Sequence, residues 1–195
     1  MRIYGLPRSG RREELAERAV DFLKRKHDKP FFLNFWIHEP HVPHHPSQAS
    51  LDLFSDLDER SRVYAAVVFD ADQWVGRILD TLKETGLDQN TLVIFSSDNG
   101  PAERRDDPNN PLGQYYDMGS TGGLRGHKGL LYDGGVRVPF IVRWPEHVPA
   151  GRVDETTVLS AVDLLTTFCA VGGAAIPENY LGEGESILPA LEGTS

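Results

Sequence analysis

The stretch Thr91–Pro101, with the sequence TLVIFSSDNGP, decides the fold. Its first five residues are largely apolar and favour β-structure, and no polar residue alternates with them, so they predict a buried strand. Two serines, an acid, an amide and a Gly-Pro pair then end the strand in a polar corner. In open α/β sheets, ligands bind outside the carboxyl ends of the strands. Asp98 and Asn99 are therefore expected to face a crevice at that edge.

Asp98 and Asn99 together offer a carboxylate oxygen and an amide oxygen. These are hard donors, which suit Ca²⁺ or Mg²⁺ better than Zn²⁺. The same Asp-Asn-Gly sequence is also typical of an ordinary turn, because Asp and Asn tolerate left-handed backbone and bond to their own backbone. From these residues alone the turn is the more common outcome, and both interpretations stay open.

Two helix patterns, each followed by an apolar run, indicate the architecture around this strand. Residues Arg11–Lys26 and Arg60–Thr85 carry apolar side chains at helical spacing, and Gly86 stands where a C-terminal cap belongs. The aromatic run Phe31–Ile37 predicts a second buried strand. A helix followed by a strand, twice in succession, predicts an α/β fold with a mostly parallel sheet flanked by helices.

The rest of the chain divides into loops and short regular elements. Its patterns predict a polar loop over Ala102–Met118, a strand over Val136–Trp144, a helix over Val158–Val171 and one helical turn over Ile187–Leu191.

A glycine-rich segment, Gly119–Gly135, precedes the later strand. Glycine at that density lets the backbone approach a ligand closely, although the same composition is common in surface loops. The segment holds Arg125, His127 and Lys128. A lysine in such a loop is more often simply solvated. Arg125 is alternatively a structural partner for a carboxylate, and the sequence does not decide between these roles.

A histidine loop, His38–Pro46, follows the aromatic run and contains three prolines. The prolines make the loop stiff and extended, so its histidines are held in place by the backbone. Imidazole suits Zn or Cu, and a transition-metal site is one interpretation of this loop. The spacing fits no structural zinc pattern, which counts against it. The four histidines of the loop are His38, His41, His44 and His45.

Composition narrows the classes of partner. The 195 residues carry a formal net charge of -9, and nothing in the sequence makes a basic stripe, which argues against nucleic acid as a partner. The single cysteine, Cys169, excludes an internal disulfide. No stretch approaches the length of a membrane span or has the apolar core of a signal peptide. The length suits one domain or a part of a larger one.

Three segments combine into a recognisable order: PFFLNFWIHEPHVP (30–43), NTLVIFSSDNGP (90–101) and GGLRGHKGLLYDGGVRVPFIVRWP (122–145). Together they resemble type I sulfatases, the alkaline-phosphatase-like hydrolases of sulfate esters. The stretches at 158–177 and 182–193 also resemble that family, and above all its N-acetylgalactosamine-6-sulfatase-like branch. The resemblance implies an alkaline-phosphatase-like sheet that is incomplete at the N-terminus. It makes residues 1–195 a partial catalytic domain.

The resemblance also implies roles for single residues. Asp98 and Asn99 match part of a divalent cation site, usually Ca²⁺, with Mg²⁺ as the alternative. Lys128 matches the lysine that contacts the sulfate group. His41 matches the histidine on the sulfate and leaving-group side, and His38 matches more loosely, in a supporting position. The implied substrate is a sulfated carbohydrate or an aryl sulfate ester, and family habit is periplasmic, lysosomal or extracellular.

Several parts of the family pattern have no counterpart, namely the nucleophile, two further aspartates for the metal, and another lysine and histidine. The family nucleophile is a formylglycine made from Cys or Ser in a Cys/Ser-x-Pro/Ala-x-Arg motif. Cys169 lies in an apolar helix pattern, where packing is the natural role, and Ser9 lacks the required neighbours. The chain thus resembles a segment cut at both ends, expected to bind calcium weakly and to have no sulfatase turnover alone. A phosphate or phosphonate ester hydrolase of the same superfamily and a truncated non-catalytic fragment stay open as alternatives.

Overall fold

The structure is a computed structural model that describes residues 12–103 and 118–194. Most of the predicted polar loop Ala102–Met118, and the start of the first predicted helix at Arg11, lie outside the described residues. Six helices, one 3₁₀ helix and two strands are present in the described part: α1 (Arg12–Leu23), α2 (Gln48–Leu53), α3 (Glu59–Glu84), the 3₁₀ helix Asp88–Asn90, β1 (Val93–Ser96), α4 (Asp133–Val136), β2 (Phe140–Arg143), α5 (Asp163–Val171) and α6 (Leu188–Glu192).

The core of the first half lies where α1 packs against α3. Helix α1 buries a stripe at helical spacing that consists of Ala16, Ala19, Val20 and Leu23. The helix ends three residues before the predicted Lys26. The ring of His27 explains this end, because its Nε2 donates a hydrogen bond to the carbonyl of Phe22 at 2.9 Å and satisfies a carbonyl that a longer helix would use.

The long helix α3 has 26 residues, and the predicted bounds agree with it to within one residue at each end. Asp58 caps its N-terminus by accepting hydrogen bonds from the backbone N–H groups of Arg60 at 3.1 Å and Ser61 at 3.3 Å. At the other end Gly86 adopts a φ of 70°, which a residue with a β-carbon rarely takes. The two caps therefore fix the length of the helix.

The strand predictions are confirmed only in part. Strands β1 and β2 pair antiparallel, with Val93 opposite Arg143 and Ser96 opposite Phe140. This pair is the only sheet among the described residues, so the parallel pairing that the sequence predicts is not present in that part of the chain. The run 31–37 forms no strand there, and Trp36 is 80% exposed, so the prediction of a buried strand is wrong for this run. A strand needs a neighbour that accepts its backbone hydrogen bonds, and no described segment provides one.

Strand β1 is also less buried than its apolar sequence predicts. Phe95 is 47% exposed, and Ile141, which lies directly opposite it on β2, is 59% exposed. The uninterrupted apolar run predicts burial on both faces, which requires covering layers on both sides of a sheet. A two-stranded sheet in the described part of the chain supplies neither the covering layers nor a second neighbour for β1.

A second small core joins α5 to α6. Thr167 is fully buried, donates to the carbonyl of Asp163 at 2.7 Å and accepts from the backbone N–H of Ile187 at 3.0 Å. Helix α5 begins five residues later than predicted, because the carboxylate of Asp163 accepts from the backbone N–H of Ser160 at 2.7 Å and turns the chain there. Cys169 is half-buried on this helix, so it is less enclosed than its sequence context predicts.

Asp70 ties α2 to α3. Its carboxylate accepts hydrogen bonds from the backbone N–H of Ser47 at 2.7 Å and from the hydroxyls of Ser50 at 2.5 Å and Ser47 at 3.1 Å. We expect Asp70→Ala to lower the free energy of unfolding by about 3 kcal/mol, because three donors lose a charged acceptor. Urea unfolding measures this change. The matched variant Asp80→Ala, at an exposed position of the same helix, is expected to stay within about 0.5 kcal/mol of wild type. Equal losses of unfolding free energy in the two variants would contradict the role of Asp70 in joining α2 to α3.

Asp154 makes the stability dependent on pH. It accepts hydrogen bonds from the backbone N–H groups of Thr157 at 2.9 Å and Thr156 at 3.0 Å, and these donors, Thr157 first, hold the pKa of Asp154 well below its ordinary value of 3.8. Because the folded pKa is the lower one, the ionised group stabilises the fold above a pH of about 4, and this stabilisation is lost as the pH falls through the folded pKa. The gap between wild type and Asp154→Asn in urea unfolding is expected to shrink as the pH drops below about 4. If the unfolding free energies of wild type and Asp154→Asn change with pH in the same way, Asp154 is not the group responsible.

Candidate functional site

Residues 97–101, which follow β1, form the strand-end corner. Two backbone hydrogen bonds join this corner to the glycine-rich segment. The N–H of Gly100 donates to the carbonyl of Gly135 at 2.9 Å, and the N–H of Lys128 donates to the carbonyl of Pro101 at 2.8 Å. The first bond anchors α4 and the second anchors the loop before it. Asp98, Asn99 and Lys128, which are far apart in sequence, are thereby brought to the same corner of the molecule.

The glycines of this corner are required by its packing. A β-carbon added at Gly100 would lie 1.9 Å from the carbonyl oxygen of Gly134, and one added at Gly135 would lie 2.1 Å from the carbonyl oxygen of Leu130. The sequence predicts that glycine at this density lets the backbone approach a ligand closely, and this stays a prediction. The structure shows backbone packed on backbone: Gly100 lies against Gly134 of the glycine-rich segment, and Gly135 lies against Leu130 within that segment.

Asp98 and Asn99 present two oxygens that suit a hard cation. The side chain of Asp98 is exposed, and nothing within residues 12–103 and 118–194 pairs with its carboxylate. The Nδ2 of Asn99 donates to the carbonyl of Gly100 at 2.9 Å, so the Oδ1 of the same amide accepts no hydrogen bond from the described residues. This donor set fits Ca²⁺ or Mg²⁺, although it is only part of the six to eight oxygens that Ca²⁺ takes.

Lys128 is half-buried and lies between two glycines in left-handed conformation, Gly126 with a φ of 87° and Gly129 with a φ of 88°. Within the described part of the chain, no carboxylate or carbonyl accepts a hydrogen bond from its ammonium group. Arg125, in contrast, stacks 3.9 Å from the ring centroid of Tyr132 and donates to its hydroxyl at 3.0 Å. The partner of Arg125 is therefore a tyrosine, and Lys128 is the residue that can offer its charge to an anion.

Three histidines of the histidine loop, His38, His41 and His44, bond to the backbone of that same loop. The Nδ1 of His41 donates to the carbonyl of Val42 at 2.8 Å, which places the proton on Nδ1 when the ring is neutral. The ring of His38 lies 5.4 Å from that of His41, and the Nε2 of His44 donates to the carbonyl of Pro40 at 2.8 Å. These bonds hold the three imidazole rings in place. The loop is not extended as its three prolines predict, because the backbone turns at residues 38–41, where the N–H of His41 donates to the carbonyl of His38 at 2.9 Å.

Tyr64 on α3 lies between the histidine loop and the strand-end corner. Its ring is 6.1 Å from the ring of His44, and a β-carbon added at Gly119 would lie 3.5 Å from its hydroxyl and 2.7 Å from the β-carbon of Pro101. Burial raises the pKa of Tyr64, so its hydroxyl stays protonated near neutral pH. The sequence gives no signal for this position of Tyr64, because a tyrosine inside a helix pattern is most simply a packing residue.

Neither of two cavities in the described part of the chain is lined by Asp98, Asn99, Lys128 or His41. One, of about 510 Å³, is lined by residues of the α5–α6 region such as Asp163 and Ile187, and the other, of about 420 Å³, is lined by α2 and α3 side chains such as Phe54 and Tyr64. In the described ranges, no three His, Cys, Asp or Glu side chains cluster as a metal site requires, and the histidine loop makes no such group. None of the described helices is both long and apolar enough to cross a bilayer.

Comparison with solved structures gives the class of the fold. The chain superposes with a TM-score of 0.76 on the crystal structure of Ps i-CgsB in complex with k-i-k-neocarrahexaose, at 32% sequence identity, covering 94% of this chain and 38% of that one. The class is an α/β protein with the alkaline-phosphatase-like fold of the sulfatases, as the sequence predicted.

The family follows from the sequence matches. The Sulfatase family model matches residues 8–174, and the chain belongs to this family. N-acetylgalactosamine-6-sulfatase of Canis lupus familiaris is 36% identical over 179 residues, which cover 91% of this chain and 32% of the relative. Steryl-sulfatase of Rattus norvegicus is 36% identical over 187 residues, which cover 94% of this chain and 30% of the relative. The chain therefore spans about a third of the length of the curated relatives it matches.

Proposed function

We propose that this chain is part of the catalytic domain of a sulfuric ester hydrolase and that it supplies part of the site for the sulfate ester. Asp98 and Asn99 are the proposed cation ligands, and Lys128 and His41 are the proposed sulfate-binding and catalytic residues. The observation that carries this proposal is the hydrogen bond from the N–H of Lys128 to the carbonyl of Pro101, at 2.8 Å, in a chain of the sulfatase family. Through that bond the proposed cation ligands and the proposed sulfate ligand share one corner.

Lys128 suits the role of a sulfate ligand. Cleavage of a sulfate ester shifts negative charge onto the leaving oxygen, and a fixed cation aimed at the reacting group stabilises the transition state more than the ground state. Lysine is a compact charge with three donors, and in the described part of the chain its ammonium is not already engaged by a carboxylate. The half-buried position strengthens its interaction with an anion, because less water competes for the charge.

His41 is proposed to act on the leaving-group side of the ester. A histidine can donate a proton or a hydrogen bond near neutral pH, and the leaving oxygen of a sulfate ester needs one. The hydrogen bond from Nδ1 to the carbonyl of Val42 fixes the orientation of the ring, which is what a proton donor at a reacting atom requires.

Asp98 and Asn99 are proposed to hold Ca²⁺, with Mg²⁺ as the alternative. When bound, such a cation supplies Lewis-acid chemistry and holds a sulfate oxygen in a fixed position. Two side chains provide fewer ligands than calcium takes, so the remaining ligands are proposed to come from water and from residues outside this chain. The chain on its own is accordingly expected to bind calcium weakly.

The proposed substrates are sulfated carbohydrates or aryl sulfate esters. Among the matched proteins, one is named for a sulfate on N-acetylgalactosamine, one for a steryl sulfate, and one is crystallised with an oligosaccharide. A phosphate or phosphonate ester hydrolase is not favoured, because the matched family and the matched relatives are sulfatases. The nucleophile is proposed to lie outside these residues, since the sequence contains no Cys/Ser-x-Pro/Ala-x-Arg motif.

The test is hydrolysis of 4-nitrophenyl sulfate, with 4-nitrophenyl phosphate assayed in parallel. The chain alone is expected to show no turnover. A polypeptide in which the reading frame continues upstream of Met1 into a Cys-x-Pro-Ser-Arg segment is expected to cleave the sulfate and not the phosphate. Turnover of the sulfate by the chain alone would overturn the assignment of the nucleophile to another region, and preference for the phosphate would overturn the proposed function.

A further inference from the structure

We propose that His127 is a positioning residue that holds Lys128 in place at the strand-end corner, an inference that rests on the proposed function of Lys128. His127 directly precedes Lys128 in the glycine-rich segment, and its imidazole lies between the lysine and the segment that follows Pro101. Nothing in the sequence distinguishes this histidine from an ordinary loop residue. Its positioning role follows from the contacts of its two ring nitrogens.

The backbone of Lys128 is held on both sides. Its N–H donates to the carbonyl of Pro101 at 2.8 Å, and its carbonyl accepts from the Nδ1 of His127 at 2.9 Å. The flanking glycines, Gly126 and Gly129, both adopt left-handed φ angles and would otherwise leave the lysine free to swing. The hydrogen bond from His127 therefore fixes the peptide plane on the side of Lys128 that the bond to Pro101 does not reach.

The second nitrogen of His127 points to the other segment of the corner. Its Nε2 lies 3.6 Å from the Oε1 of Glu103, which follows Pro101 by two residues. The side chain of His127 is only 26% exposed, whereas that of Glu103 is 51% exposed. A protonated His127 can thus bond to the lysine loop through Nδ1 and form an ion pair with the segment after the strand-end corner through Nε2.

These contacts make His127 a positioning group rather than a ligand of the sulfate. Both ring nitrogens are directed at protein atoms, one at a carbonyl and one at a carboxylate, and a carboxylate beside the ring disfavours an anion there. Lys128 has no such partners among the described residues. Placement matters for a charge that acts on a reacting group, because a shift of about 1 Å in a binding group can cost about 100-fold in rate.

The test compares His127→Asn with His127→Gln, which are matched in chemistry and differ in reach. The amide nitrogen of asparagine lies near the position of Nδ1 and can still donate to the carbonyl of Lys128, whereas that of glutamine lies near the position of Nε2 and reaches only toward Glu103. His147→Ala, on an exposed histidine that stacks against Trp144, is the control for removal of an imidazole. The readouts are hydrogen exchange at the Lys128 amide and the dissociation constant for inorganic sulfate.

His127→Gln is expected to speed exchange at the Lys128 amide and to weaken sulfate binding by about two- to tenfold, the worth of one hydrogen bond. His127→Asn and His147→Ala are expected to stay near wild type in both readouts. Equal behaviour of the asparagine and glutamine variants would overturn the positioning role. If Lys128→Met leaves sulfate binding unchanged, the proposed function of Lys128 fails, while the exchange rates still test the contact between His127 and Lys128.

Discussion

Gly100→Ala is expected to detach the strand-end corner from the glycine-rich segment and to lower the free energy of unfolding by about 3 kcal/mol. The added β-carbon would lie 1.9 Å from the carbonyl oxygen of Gly134, 2.9 Å from its carbonyl carbon and 3.2 Å from the α-carbon of Gly135. All three are backbone atoms, so no side-chain rotation relieves the overlap. The shift that follows also breaks the hydrogen bond from the N–H of Gly100 to the carbonyl of Gly135.

Gly76→Ala is the matched control for this substitution. Gly76 lies within α3, and a β-carbon added there meets no atom within 4 Å. Alanine is the better helix former, so this variant is expected to gain about 0.5–1 kcal/mol. Urea unfolding of the two variants measures the contrast. If Gly100→Ala unfolds at the urea concentration of wild type, the close backbone packing at the corner is wrong.

Lys128→Met is expected to have the largest effect on chemistry. Methionine keeps much of the length of lysine and removes the charge, so the corner keeps its shape while the proposed sulfate ligand is lost. In the proposed polypeptide that continues upstream of Met1 into a nucleophile segment, kcat/KM for an aryl sulfate is expected to fall by about 10²–10³, the usual loss for one group that stabilises a developing charge. The chain alone is expected to lose sulfate binding in a calorimetric titration.

Lys24→Met provides the control for the loss of one positive charge. Lys24 is exposed just after α1, remote from the strand-end corner in sequence, and it is expected to leave both kcat/KM and sulfate binding at the wild-type level. A similar drop in both lysine variants would mean that general charge, and not the position of Lys128, is responsible. An unchanged Lys128→Met would remove this residue from the proposed site.

The sequence predicts the elements whose signals are local. The bounds of α3 follow from its helical spacing and from its two caps, Asp58 and Gly86, which act on residues next to them in the chain. The strand prediction for residues 31–37 is wrong because it depends on distant residues. The composition of this run favours a strand, but a strand exists only where another segment accepts its hydrogen bonds, and that depends on residues far away in the chain.

The candidate site also has a part that the sequence predicts and a part that it does not. The residue types at Asp98, Asn99 and Lys128 could be recognised from motifs, whereas the link between them could not. That link consists of two backbone hydrogen bonds, and backbone groups have the same chemistry at every position in a sequence. The contacts of Tyr64 and His127 could not be predicted for a related reason, since each is made with a segment that the local pattern does not reveal.

The antiparallel register of β1 and β2 has a practical consequence for handling the protein. It sets Phe95 and Ile141 side by side, both about half-exposed, so the sheet presents an aromatic and a branched side chain to water. An exposed apolar surface of this kind binds phenyl resin and increases the fluorescence of dyes such as anilinonaphthalene sulfonate. Ile141→Thr keeps the β-branched shape that strands favour and adds a hydroxyl, which makes it the first substitution to try when higher concentrations are needed for spectroscopy.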